Sequence, residues 1–192
     1  MSKKAKSSGP SRQAAVDAPP TALMEAAGYR EIMRHHAGAV TVIAVGLPGA
    51  RTGLTATAVC SLSDSPAMIL ACVNRSASAH AIITATRCFS INLLASEQQD
   101  VAMRFAGREG LAGEDRFETG AWTTLSTGAP VLEGALANLD CELAEELNGL
   151  THTIFIGAVK SGRVRAAATP LLYFRGEFRN VDAGGEKAGG KG

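Results

Sequence analysis

Between Gly53 and Asn74 the sequence reads GLTATAVCSLSDSPAMILACVN, and the small hydroxyl residues Thr55, Thr57 and Ser61 lie on β-prone backbone. Thr is common in strands for packing reasons alone. Hydroxyls held close to the main chain are also uncharged donors and acceptors, suited to gripping a flat polar ring reversibly. The next segment places Asn74, Arg75, Ser76 and Ser78 at the head of a predicted helix, where unpaired N–H groups and the helix dipole favour an anion. A ring site next to an anion site fits one ligand carrying both parts, and these residues lead us to expect a flavin with its phosphate. His152, within THTIFIGAV, is either a half-buried strand residue or a donor that holds a nicotinamide ring for hydride transfer.

Composition narrows the alternatives. Nineteen Lys and Arg against 18 Asp and Glu give a net charge of +1, so the chain lacks the basic field that nucleic-acid phosphates require. No uninterrupted apolar run approaches the ~20 residues of a membrane helix, and the Lys- and Ser-rich N-terminus has no export pattern. Cys60, Cys72, Cys88 and Cys141 lack paired C-x-x-C spacing and read as buried free thiols in a reducing, cytoplasmic setting. His36 and His80 have no Glu or Cys partner four residues away, and no metal site is expected at these residues or at His35. His35 and His36 read as a solvated helix end. Gly-x-Gly-x-x-Gly, Gly-x-Ser-x-Gly and Walker patterns are absent, which leaves hydrolase and nucleoside-triphosphatase readings without residues.

The elements that must position these groups follow from punctuation and periodicity. Met1 to Thr21 and Ala183 to Gly192 are expected to be disordered tails around one domain over residues 22–182. Leu23 to His36 reads as an amphipathic helix bent at Gly28, and Val40 to Val45 as a strand turning at Leu47 to Arg51. The strand bearing Thr55, Thr57 and Ser61 turns at Asp64 to Pro66 and returns as Met68 to Val73. Ser76 or Ser78 is expected to cap a helix ending at Thr86, followed by the buried strand Cys88 to Leu94. Ser96 and Gln99 form the pattern of a capping box for a helix reaching Gly107. A turn over Asp115 to Glu118 and a strand over Trp122 to Leu125 precede the break at Gly128 to Pro130. Ala135 to Glu146 and Thr151 to Arg165 flank a predicted Leu147-Asn148-Gly149 turn, and Leu171 to Phe174 with Phe178 to Val181 close the sheet. Arg104, Arg116, Tyr173 and Arg175 read equally as surface or hairpin-stapling residues. About eight strands without βαβ alternation argue for an antiparallel barrel over a doubly wound sheet.

Several phrases together resemble the short-chain flavin reductase family: GAVTVIAV, GLTATAVCSLSDSPAMI, VNRSASAH, FSINLLA, RFAG, DRF followed by Trp122, GAP, DCEL, HTIFIGAV and LLYFRGEF, in family order over Gly38 to Phe178. The resemblance implies a mainly β fold, a Greek-key antiparallel split β-barrel with a few short helices. It also implies a homodimer that passes hydride from NADH or NADPH to FMN or FAD and supplies reduced flavin to a separate monooxygenase. Carried over, Thr55, Ala56, Thr57 and Ser61 would hydrogen-bond the isoalloxazine edge, and Asn74, Ser76 and Ser78 would meet ribityl and phosphate groups. Arg104 and Phe105 would border the flavin tail, with His152, Tyr173 and Arg175 on the nicotinamide side and His152 as the catalytic position. Ala58 replaces a frequent Ser, Ser78-Ala79-His80 a frequent Arg-Thr-His, and Gly38-Ala39 a common Thr-Gly, so FMN and FAD both stay open. A flavin relay to a ferric or cobalt-corrin chelate and a non-catalytic flavin- or haem-binding module are the alternatives on the same fold.

Overall fold

Strand β2, Thr41–Val45, reads TVIAV and is buried at every position. A strand buried at every position is covered on both faces, and its side chains divide accordingly. Ile43 and Val45 enter one core with Ile69, Ala71, Val73 and Phe155. Val42 and Ala44 enter another with Val101, Phe105, Phe117 and Leu132. This computed structural model describes residues 22–107 and 110–181.

Around β2 runs a seven-stranded antiparallel sheet ordered β3-β2-β6-β9-β10-β5-β4. Its members are β3 Thr52–Ala56, β4 Val59–Asp64, β5 Ala67–Asn74, β6 Cys88–Leu93, β9 Ala137–Asn148 and β10 His152–Val164. A second sheet joins β1 Gly38–Ala39 to β11 Leu171–Phe174 and β12 Glu177–Asn180, and a third pairs β7 Trp122–Thr124 with β8 Pro130–Leu132. The chain passes directly from β3 to β4, yet these two strands form opposite edges of the large sheet. The crossing is Thr57 and Ala58, where the Cys72 N–H donates to the Ala58 carbonyl at 2.9 Å. No ladder joins β3 to β4, and the barrel is split there.

Three α-helices lie among the described residues: α1 Ala26–Met33, α2 Ser78–Thr86 and α3 Gln99–Phe105. α1 is shorter than the expected Leu23–His36, includes Gly28 and buries none of its residues. α2 starts after Ala77 with no side-chain cap. The Ser78 hydroxyl is instead bonded to that of Thr52 at 2.8 Å, so the expected serine cap does not form. α3 starts after Gln98, two residues later than the Ser96 capping box requires. The Gln98 side chain accepts the Ala95 N–H at 3.0 Å while the Ser96 hydroxyl turns to Glu97. A 3-10 helix, Gly113–Glu118, takes the place of the expected turn at Asp115.

The β9–β10 hairpin closes later than the Asn-Gly pair suggests. Asn148 still pairs with Thr153, the Gly149 N–H donates to the His152 carbonyl at 2.8 Å, and the turn occupies Gly149 to Thr151. Two bulges, at Ala144 and Lys160, offset each other, so the ladder has the same register at both ends. Among the cysteines, Cys141 is buried and Cys72 and Cys88 half-buried, but Cys60 is exposed on edge strand β4, contrary to the buried-thiol expectation. The expected tails, residues 1–21 and 183–192, lie wholly outside the described residues. No described helix is long and apolar enough to cross a membrane.

Candidate functional site

The split gives β3 a free end, and a cleft of about 250 Å³ opens beside it. Thr55, Ala56 and Thr57 form one wall, Met103 of α3 and Ala106 just beyond its end another, and Val40, Tyr173 and Phe178 the third. Side-chain hydroxyls hold this wall in place. Thr41 donates to the Ala56 carbonyl at 2.7 Å, and Thr55 donates to the Ala102 carbonyl at 2.7 Å, tying β3 to α3. Among the described residues Thr57 has no protein partner for its hydroxyl and is exposed. β1 comes close at this point because residue 38 is glycine: a Cβ there would lie 2.9 Å from the Thr57 Cβ. Tyr173 and Phe178 face each other across the β11–β12 ladder, their rings edge-on at 5.4 Å.

Phe105 supports the cleft from behind. It is 1% exposed and packs with Phe117 at 5.1 Å and Trp122 at 5.4 Å, so it is a core residue with no surface to offer a ligand. Arg104 is equally committed. Its guanidinium donates to the Asp115 carbonyl, to Thr119 Oγ1 at 2.7 Å and to Glu118 at 2.8 Å, which fastens α3 to the 3-10 helix. Arg116 donates to the Gly53 carbonyl at 2.6 Å and the Leu111 carbonyl at 3.0 Å. Arg51 grips Glu114 with its guanidinium and, at 2.9 Å, its backbone N–H. These bonds from Arg51 hold the Glu114 carboxyl below the usual glutamate range, against an opposing desolvation. Three arginines thus brace the segment behind the cleft.

Asn74, Ser76 and Ser78 gather at the other end of β3, where Ser78 meets Thr52. The Asn74 Oδ1 accepts both the N–H of Ser76 at 2.9 Å and its hydroxyl at 2.8 Å. His152 stands opposite Asn74 on the adjacent strand, exposed, with Nδ1 and Thr151 Oγ1 at 2.8 Å. The structure therefore brings His152 together with Asn74 and not with Tyr173 in one cleft. Arg175 lies in the two-residue turn that joins β11 to β12, at φ 53 with Gly176 at φ 88. Its guanidinium lies 5.1 Å from the centre of the Phe174 ring.

Ser61 is separated from the other hydroxyls. It is exposed on β4, at the far edge of the sheet from β3, because the stretch read as one strand is two strands divided at Thr57 and Ala58. Sequence reasoning missed Val40, Met103, Ala106 and Phe178. The signal for Phe178 was present in the Arg-Gly turn, which fixes it opposite Tyr173. Met103 and Ala106 flank the Arg104-Phe105 pair and line the cleft, which this pair does not. No three His, Cys, Asp or Glu side chains gather as a metal site among the described residues.

A shallow cleft with two aromatic rings, a free hydroxyl and backbone groups at a strand end can hold a planar heteroaromatic ring, and the neighbouring α2 terminus can accept an anion. Several known proteins are similar to this chain. The flavin reductase-like domain family matches residues 33–182. FMN reductase (NADH) RutF of Agrobacterium fabrum is 38% identical over 159 residues, 83% of this chain and 90% of that protein. NADH:FAD oxidoreductase SgcE6 of Streptomyces globisporus C-1027 is 32% identical with TM-score 0.76, over 85% of this chain and 99% of its own; another SgcE6 structure holds NAD and FAD fragments. BorF, the flavin reductase component of a bacterial two-component tryptophan halogenase, is 31% identical with TM-score 0.75, over 82% of this chain and 98% of its own. The chain belongs to the flavin reductase-like domain family and is an NAD(P)H-dependent flavin reductase.

Proposed function

We propose that this flavin reductase uses NADH to reduce FMN, with the flavin ring in the cleft at the end of β3 and its phosphate at the start of α2. The observation that carries this reading is the Thr57 hydroxyl: it is exposed at the cleft wall with no protein partner among the described residues, whereas the hydroxyls of Thr41, Thr52 and Thr55 are engaged. β3 joins the two halves of the site, since Thr52 touches Ser78 at one end and Thr57 lines the cleft at the other. Five residues at ~3.3 Å each separate them by about 16 Å, the scale of a mononucleotide. The relatives named as FMN reductases favour FMN and NADH.

A bound flavin would supply the hydride-accepting ring, and the residues of this chain bind and orient. Thr57 and the backbone at Ala56 hold the polar ring edge, while Asn74, Ser76 and Ser78 receive ribityl and phosphate oxygens. His152, exposed beside Asn74 and outside the cleft, steers NADH toward it, and Tyr173 with Arg175 of the adjoining turn meets the nicotinamide at the cleft. Arg104, Phe105 and Ser61 have no ligand contact in this reading. The functional domain spans residues 22–182, works as a homodimer in a reducing cytoplasm, and hands reduced flavin to a separate oxygenase; four free cysteines support the reducing compartment. Steady oxidation of NADH on addition of FMN, faster than with FAD or with NADPH, is the expected outcome. A protein that binds FMN but leaves NADH unoxidised would refute the reading.

A further inference from the structure

Thr153 is fully buried at the head of β10, and its hydroxyl joins a short chain of side chains. It donates to the Asn148 Oδ1 at 3.3 Å. Its remaining capacity at 2.8 Å from His80 Nε2 is therefore that of an acceptor, so His80 carries its proton on Nε2. His80 belongs to the first turn of α2, and its ring lies 5.1 Å from that of the buried Phe155. One imidazole thus pins α2 to the strand that begins with His152.

Adjacent residues of a strand point to opposite faces. Fixing Thr153 inward against His80 therefore fixes His152 outward, at a set height relative to the α2 terminus. The backbone adds two further ties: the Arg75 N–H donates to the Thr151 carbonyl at 3.0 Å, and the Gly149 N–H to the His152 carbonyl at 2.8 Å. Asn74 and Ser76 precede α2 in the same connection. Whatever they hold is in rigid register with His152 through these bonds.

We infer that His80 is a positioning residue for hydride transfer: through Thr153 it holds His152 in register with the α2 terminus, and so sets the placement from which His152 steers NADH toward a flavin whose phosphate is anchored at α2. This rests on the assignment of His152 to the nicotinamide side. His80 touches neither ring and acts only through His152, which separates this role from that of a core histidine satisfied for stability.

The test is a mutant cycle in the full chain, measured at saturating FMN with NADH varied. His80→Ala and Thr153→Val are each expected to lower kcat/KM for NADH roughly 5- to 30-fold, as His152→Ala does, while the Kd for FMN moves less than about twofold. His80→Gln, whose amide can donate to Thr153, should recover most of the rate. In the His152→Ala background neither substitution should cause further loss. Losses that multiply in the double variant, or variants that lower Tm with unchanged kcat/KM, would overturn the role of His80 while leaving His152 assigned. An unchanged kcat/KM in His152→Ala alone would remove His152 from the site and the inference with it. Thr153→Val preserves shape and volume, so the cycle can be read even where His80→Ala folds poorly.

Discussion

Side chains of one type have different fates along β3, and the hydrogen bonds decide which. Thr55 spends its hydroxyl on the Ala102 carbonyl, whereas Thr57 keeps its hydroxyl for a ligand. Thr57→Val should therefore weaken FMN binding by about 1 kcal/mol with little change in Tm, and Thr55→Val should lower Tm by loosening α3. Fluorescence titration and thermal melts of both variants check this, and the reverse assignment of effects would move the ring contact to Thr55. Cysteines divide in the same way. Burial, with the neighbouring Asp140 charge adding to it, pushes the Cys141 thiol up to about 12, while Cys60 is exposed. Since the thiolate is the nucleophile, iodoacetamide at pH 8 should reach Cys141 only after unfolding, and should label Cys60, paired with Leu70 on β5, in the folded single chain. Peptide mapping of the labelled chain reads the outcome directly.

Elements were legible where periodicity was strong and illegible where a single contact set the boundary. The largely apolar β2 and the paired β9 and β10 could be read from composition, because burial of one face or two leaves a pattern. The break between β3 and β4 could not, since Thr57-Ala58 carries no Gly or Pro and is fixed by the Ala58–Cys72 bond to a strand 14 residues on. α3 starts late for a similar reason: Gln98 captures the Ala95 N–H before Ser96 can act as a cap. The Arg51–Glu114 clamp was likewise invisible, joining residues 63 apart. Its effect depends on pH. The folded glutamate is held below its ordinary 4.5, so its stabilisation is complete above that value and disappears as pH falls through the depressed one. Glu114 is 38% exposed, which limits the clamp to about 1 kcal/mol even with several bonds converging. Wild type should exceed Glu114→Gln in Tm at pH 7, with the gap closing by pH 3; a gap independent of pH would show that packing of Arg51, whose guanidinium lies 4.5 Å from the centre of the Phe117 ring, supplies the effect.

At the scale of the molecule, the outer face of β5 and β10 has the wrong chemistry for water. Ile69, Ala71 and Val73 point into the core, which leaves Leu70 and Cys72 outward, and on the neighbouring strand Ile154 and Ile156 are outward where an exposed antiparallel sheet normally carries polar residues. The register sets Ile154 beside Cys72 and Ile156 beside Leu70, so the four form one patch, extended by Leu62 on edge strand β4, which is 49% exposed. An apolar patch ending in an unpaired strand edge is costly to leave in water and is readily covered by the same patch on a second copy. Because His152 precedes Ile154 on β10, such an interface would also border the proposed nicotinamide side. Sedimentation should show a species of twice 19.8 kDa. Leu62→Glu places a charge in the patch without touching the core, and should give a folded monomer with weakened NADH-dependent FMN reduction. Wild type that sediments only as the single chain would refute the dimer, and a Leu62→Glu monomer with full activity would show that the site is complete within one copy.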